Sequence, residues 1–367
     1  MWLIGTCIRL VESSLFSNSK KIAQQTAQRL ISGHYTLFVW WALKHAGVFE
    51  AMRKFEENGE GLDPLVFATR TSMAAEVLSG LLEYLATSGL VVMKEGRAHL
   101  TSEGKGLLEH EDGLLEMMRA YEPVLDVLEH LLAKLKPHGA AVGSLRKMDA
   151  LAASQSSRYA AEVYPAIQEM VQKHRFSHVL DISCGSGELL IHLATNVKNV
   201  VGVGTGADGI MVRQANNTIT KKGLEKKLIA VTAGAVDICI DTKRIFDRIG
   251  ISGQLWEEID CVIATGLGAE ILARDGGGSG VDAVVKVLSA IPRNFSKSHL
   301  LLVEPTDTAR FAKNYYAPEL SLLLRLTRCS PWTPEQWREV IGKSKMQVVQ
   351  EAGLMTDGLT AFLCKPA

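Results

Sequence analysis

The sharpest chemistry in this chain is carried by Val179-Leu-Asp-Ile-Ser-Cys-Gly-Ser-Gly-Glu-Leu-Leu. An apolar run ends in Asp181, passes through Gly185 and Gly187, and opens what reads as a helix. Glycines at these positions allow a tight turn and let a ligand approach the backbone, while the helix start offers free N–H groups. The spacing is Asp-x-x-x-Gly-x-Gly, not the Gly-x-Gly-x-x-Gly of dinucleotide sites. A glycine turn that holds nothing would use the same residues, but strand, turn and helix in this order, followed by four further strands, favour a ligand loop.

Other candidates are weaker. Glu270, in Thr265-Gly-Leu-Gly-Ala-Glu-Ile-Leu, starts a helix after an apolar strand. A carboxylate there serves as a base, as a metal ligand, or only as a favourable partner for the helix dipole. His174 and His178 are four apart, but a strand beginning at Ser177 would break the helical turn that a metal pair requires, so no metal site is expected. Six cysteines, at 7, 184, 239, 261, 329 and 364, form no Cys-x-x-Cys pair and read as reduced core thiols. The basic run Lys221-Lys222 and Lys226-Lys227 reads as a solvated helix face.

Five apolar runs position these groups: Ser177-His-Val-Leu-Asp-Ile, Asn199-Val-Val-Gly-Val, Leu228-Ile-Ala-Val-Thr, Ile259-Asp-Cys-Val-Ile-Ala and His299-Leu-Leu-Leu-Val-Glu. Continuous apolar strands alternating with helices predict a doubly wound α/β domain, its mostly parallel sheet covered on both faces. Ligands bind outside the carboxyl ends of such strands, where Asp181, Gly204, Thr265 and Glu304 should lie. Before this domain, apolar residues recur at helical spacing from Lys20 to about Gly143. Within that part, helices around Pro64–Ala68 and Met73–Ser88 precede two short strands joined by a Glu95-Gly96 turn, a winged-helix pattern. The second helix carries Glu76 and Glu83 and no Lys or Arg, so scaffolding or dimerisation is expected of it, not DNA reading.

With 367 residues, two packed units are expected. Forty basic residues offset forty acidic ones, so no global field draws the chain to nucleic acid or an anionic membrane. No run approaches the ~18 apolar residues of a membrane span. A soluble, cytoplasmic protein is expected.

The segment from Val179 resembles motif I of the class I S-adenosylmethionine-dependent methyltransferases. Ala42-Leu-Lys-His-Ala-Gly-Val-Phe-Glu-Ala-Met, Leu78-Ser-Gly-Leu-Leu-Glu-Tyr-Leu-Ala-Thr-Ser-Gly-Leu and Leu100-Thr-Ser-Glu-Gly-Lys resemble the winged-helix dimerisation domain of small-molecule O-methyltransferases. Ala120-Tyr-Glu-Pro-Val-Leu and the 266–272 region are also similar, more weakly, to the 2-oxo acid and acyl C-methyltransferase relatives. The resemblance implies a helical winged-helix-like dimerisation domain over 1–110, a helical bridge over 111–173 and a methyltransferase domain over 174–367, closed by an antiparallel hairpin. It implies S-adenosylmethionine as cofactor, a small-molecule substrate for O- or C-methylation, and a homodimer.

The same resemblance assigns cofactor-binding roles to Asp181, Ser183, Gly185, Gly187, Gly204, Asp208, Gly234 and Asp237. Several of these depart from the family. Ser183 replaces its first motif glycine, and Gly204 stands where a carboxylate normally holds the ribose, with Asp208 as the nearest acid. Ala235 follows Gly234 where an acid is usual, and Asp237 lies two positions on. Ala269 takes the place of the base histidine, leaving Glu270 as the catalytic candidate. A non-catalytic homologue that serves as a dimerisation or scaffolding partner is the alternative these departures raise.

Overall fold

A Glu95-Gly96 turn and helical apolar spacing shape the first part of the chain. The computed structural model describes residues 2–111, 113–133, 142, 145–248, 257–268, 271, 280–306, 317–327 and 331–367, which fall into two units, Met1–Glu111 and Asp112–Ala367. The first unit contains α1 (Trp2–His45), α2 (Val48–Glu57), α3 (Pro64–Thr71), α4 (Ala75–Thr87), β1 (Val91–Lys94), β2 (Arg97–Leu100) and α5 (Ser102–His110). Asp63 starts α3 by accepting from the Leu65 and Val66 amides, with Pro64 in the first turn, where its missing N–H costs nothing. β1 and β2 pair antiparallel from Val91↔Leu100 to Lys94↔Arg97, and Glu95 and Gly96 take the positive φ values of 49° and 75° that a two-residue hairpin turn needs. The expected ribbon is therefore present in register. Trp40 and Phe49, with ring centroids 4.2 Å apart, join Leu43, Met52, Leu82 and Leu85 in this unit's core.

The second unit opens with α6 (Leu114–Leu125), α7 (Leu128–Leu132), α8 (Met148–Tyr159) and α9 (Val163–His174). There follow β3 (His178–Asp181), α10 (Glu188–Asn196), β4 (Val201–Gly206), α11 (Gly209–Lys221), β5 (Leu228–Thr232), α12 (Ala235–Arg248) and β6 (Cys261–Thr265). The unit closes with α13 (Gly280–Asn294), β7 (His299–Pro305), α14 (Ala317–Leu326), α15 (Pro334–Lys343), β8 (Met346–Gly353) and β9 (Leu359–Pro366). The sheet runs β5-β4-β3-β6-β7-β9-β8, parallel from β5 to β7, with β9 antiparallel to both its neighbours. All five predicted strands and the closing hairpin are found. In β9, Leu359, Ala361 and Leu363 enter one core cluster while Phe362 and Cys364 enter the other, because both sheet faces are covered. After buried Met346, edge strand β8 alternates exposed and half-buried residues instead. Cys184, Cys261 and Cys364 are buried free thiols. Among the described residues, no helix is long and apolar enough to cross a membrane.

Candidate functional site

Chain order reverses between β3 and β6: β4 and β5 build outward on one side of β3, and β6 and β7 on the other. At such a switch point the connections leave in opposite directions and open a crevice at the strands' carboxyl ends. Asp181 is the last residue of β3 and Thr265 the last of β6. The turn after β3 is held by Gly187 N–H donating to the Cys184 carbonyl at 2.7 Å, and α10 begins immediately after it. Gly185 (φ 50°) and Gly187 (φ 81°) occupy the left-handed region. A Cβ on Gly185 would stand 3.4 Å from Met211 Cε and 3.8 Å from Ala152 Cβ, and one on Gly187 only 3.0 Å from Ala215 Cβ. Both glycines answer to backbone angle, and Gly187 also to its close packing on α11. Ser183 has no positive φ, so its side chain fits where the family has glycine.

Around this turn lies a cleft that is partly open to solvent. Its walls include Gln155, Ser156 and Tyr159 from α8, Tyr164 from α9, Glu188 from α10 and Thr265, together with Asp181, Ser183 and Gly185. Asp181 is 1% exposed, and its Oδ1 accepts from Ser183 N (2.9 Å) and Ser183 Oγ (3.3 Å). Burial pushes its pKa from 3.8 to about 6, against the pull of those two donors. Burial also pushes the Tyr164 phenol up to about 12; the Ser156 hydroxyl opposes this, and the negative charges of Glu188 and Asp181 add to it. Tyr164 is therefore a protonated donor at neutral pH. Burial and the nearby Asp181 charge likewise keep the Cys184 thiol neutral.

Asp181, Ser183 and Gly185 thus meet in one cleft, with Gly187 behind them at the helix start. Gly204, Asp208, Gly234 and Asp237 are not among its walls. Gly204 sits beside Asp181 in the ladder, packed against Cys184 and Leu190. The Asp208 Oδ1 caps α11, accepting from Ile210 N (2.7 Å) and Met211 N (3.3 Å). Asp237 is an exposed residue in the first turn of α12, its Oδ2 3.0 Å from where a Gly234 Cβ would lie. Ala269 and Glu270 lie outside the described residues, as do Gly276 to Ser279. His174 ends α9 and His178 begins β3, so the two share no helix. Gly268 N–H donates to Glu304 Oε1 at 2.8 Å, and a Cβ there would stand 2.3 Å from Trp337, whose ring packs on Trp332.

Sequence reading missed Tyr164 and Ser156. A helix directly preceding a parallel strand runs antiparallel to it, so the first turn of α9 belongs beside the carboxyl end of β3. That placement was the available signal for Tyr164.

No family model matches the chain. Solved structures do. Mitomycin 7-O-methyltransferase MmcR superposes with a TM-score of 0.65 at 13% identity, over 96% of this chain and 100% of that one. N,N-8-amino-8-demethyl-D-riboflavin dimethyltransferase RosA from Streptomyces davawensis gives 0.59 at 16% identity, over 94% and 99%. The O-methyltransferase NcsB1 from neocarzinostatin biosynthesis, in complex with S-adenosylmethionine and 2-hydroxy-5-methyl naphthoic acid, gives 0.58 at 16% identity, over 91% and 96%. At such identities the likeness is one of architecture, and this chain has the Rossmann-like methyltransferase fold with a helical N-terminal domain.

Proposed function

We propose that this chain binds S-adenosylmethionine and transfers its methyl group to a small molecule. The observation that carries this reading is the Asp181–Gly187 turn: a buried carboxylate and a glycine-lined floor at the switch point, walled by hydroxyl donors. The residues fit the methionine and ribose side of the cofactor. Asp181 accepts from a ligand hydroxyl or amine, Tyr164 and Ser156 can donate, and a side chain at position 185 would fill the floor of the cleft. When bound, the cofactor supplies a methyl group on a positively charged sulfur, so positioning is the protein's main contribution. NcsB1, of the same fold, is described with S-adenosylmethionine and a naphthoic acid bound, which supports a small aromatic or similarly sized acceptor here. Isothermal titration is expected to show binding of both S-adenosylmethionine and S-adenosylhomocysteine. No heat at millimolar ligand would overturn the reading and leave a non-catalytic homologue.

Within this reading Glu270 is the base candidate, suited to a carbon acid beside a carbonyl. Glu270→Gln is expected to abolish turnover on such a substrate while S-adenosylmethionine affinity stays nearly unchanged; full activity in the variant removes Glu270 from the mechanism.

The helical unit at the N-terminus is proposed to be a winged-helix-like dimerisation domain over residues 1–110, joined through a bridge at 111–173 to the catalytic domain at 174–367. In α1, Leu30, Ile31 and Tyr35 are 68%, 58% and 59% exposed, an apolar stripe that a second copy of the chain would cover. Trp40 and Leu43, further along the same helix, pack internally. Light scattering is expected to report a dimer, and a 40.0 kDa species at micromolar concentration would reject it. Buried free thiols at Cys184, Cys261 and Cys364 suit a cytoplasmic location, where thiols stay reduced.

A further inference from the structure

The β3–β6 ladder pairs Val179↔Cys261, Leu180↔Val262 and Asp181↔Ile263, and its last backbone bond runs from Ile182 N to Ile263 O at 3.0 Å. Beyond this the chain after β3 turns away into the glycine loop, and the next amide on β6, Thr265 N, has no strand carbonyl to meet. The Ser183 hydroxyl takes that place: Thr265 N donates to Ser183 Oγ at 2.8 Å. Thr265 Oγ1 lies 3.1 Å and Asp181 Oδ1 3.3 Å from the same oxygen. A hydroxyl has one proton and two lone pairs. If both Thr265 donors occupy the lone pairs, the single Ser183 proton goes to Asp181 Oδ1, which also receives Ser183 N–H. Every donor is then used, and Asp181 Oδ2 is left without a protein donor among the described residues.

We propose that Ser183 is a positioning residue whose hydroxyl staples the carboxyl ends of β3 and β6 and holds the Asp181 carboxylate with one oxygen committed and the other offered to the ligand. This role rests on the cofactor-binding reading above. A glycine at 183 would supply the backbone donor but neither the staple nor the second donor to Asp181. Among the described residues, the other titratable groups on the walls are Cys184 from the same turn, Tyr159 from α8, Tyr164 from α9 and Glu188 from α10, and the facing end of β6 contributes Thr265. Cys184 and Tyr164 stay protonated throughout the neutral range, and Glu188 is common to every variant compared.

The test is S-adenosylhomocysteine affinity by calorimetry between pH 5 and 8 for the full chain and for Ser183→Ala, Ser183→Gly and Ser183→Thr, with amide exchange followed at Thr265. In the unaltered chain affinity should fall as pH drops through about 6, where Asp181 gains a proton. Ser183→Ala and Ser183→Gly should bind roughly tenfold more weakly at pH 7. Their midpoints should lie higher by about one pH unit, because the carboxylate has lost a donor. Thr265 should exchange faster in both, and Ser183→Thr, which keeps the hydroxyl, should restore all three properties. A purely structural effect would weaken binding equally at every pH, so an unmoved midpoint in Ser183→Ala overturns the role while the cofactor reading stands. If the unaltered chain binds no S-adenosylhomocysteine, the cofactor reading fails and the role falls with it.

Discussion

Asp181→Asn is expected to stabilise the second unit at neutral pH while abolishing the S-adenosylmethionine binding proposed above. The carboxyl is 1% exposed and its pKa is about 6 in the folded chain against an ordinary 3.8. An acid whose pKa rises on folding binds its proton more tightly in the native state. Its contribution is therefore most favourable below about pH 4 and is lost as pH rises toward 6. Above pH 6 the folded chain bears the cost of a buried charge, on the order of 1–3 kcal/mol for a shift of about two units. Asparagine removes that charge while its Oδ1 can still accept from Ser183 N. Calorimetric melting at pH 7.5 should show the variant several degrees above the unaltered chain, with the gap closing near pH 4. A variant less stable at pH 7.5, or a gap of the same size at both pH values, would show that the carboxylate is not paying a burial cost. Loss of binding follows separately, because Asn presents an amide N–H₂ where the ligand's hydroxyl or amine needs an acceptor.

Installing a carboxylate on β4 is expected to damage the chain instead of improving its affinity. A Cβ at Gly204 would stand 2.8 Å from Cys184 Cβ, 2.9 Å from Cys184 Sγ and 2.9 Å from Leu190 Cδ1. Leu190 is fully buried and Cys184 is 6% exposed, so neither has room to withdraw. Gly204→Asp should cost about 1–3 kcal/mol through overpacking, with a further penalty if the new charge is held away from water. Combining it with Cys184→Gly, which removes two of the three close atoms, should recover part of the loss. Urea titration of the single and double variants measures both effects. A single variant as stable as the unaltered chain would show that Gly204 is not held to glycine by packing.

The departures at 183 and 204 therefore have different physical origins. Ser183 adds hydrogen bonds that glycine cannot make, whereas Gly204 yields space that Cys184 occupies. Asp208, the next acid along the chain after Gly204, has its Oδ1 engaged at the α11 cap. Among the described residues, the cleft's carboxylates are therefore Asp181 on β3 and Glu188 on α10, with none from β4.

Much of this arrangement is legible in the sequence. The β1–β2 register follows from Glu95-Gly96, because only residues that tolerate positive φ close a two-residue hairpin. The strand–turn–helix at 179–190 follows from an apolar run that meets Asp181 and two glycines, and the parallel sheet from runs too continuously apolar to face water. These are local rules of backbone angle and solvent exposure, which short stretches of sequence determine by themselves. Tertiary structure alone decided which groups meet across the switch point. Ser183 and Thr265 are 82 positions apart, and their bond exists because β6 returns beside β3 and its last residue lies two positions past the ladder. Likewise, Cys184 and Gly204 come together only because β4 lies beside β3, and Tyr164 shares a cleft with Asp181 only because the chain folds α9 back beside the carboxyl end of β3. Side-chain chemistry assembled over such distances depends on sheet order and register, which no local window of sequence contains.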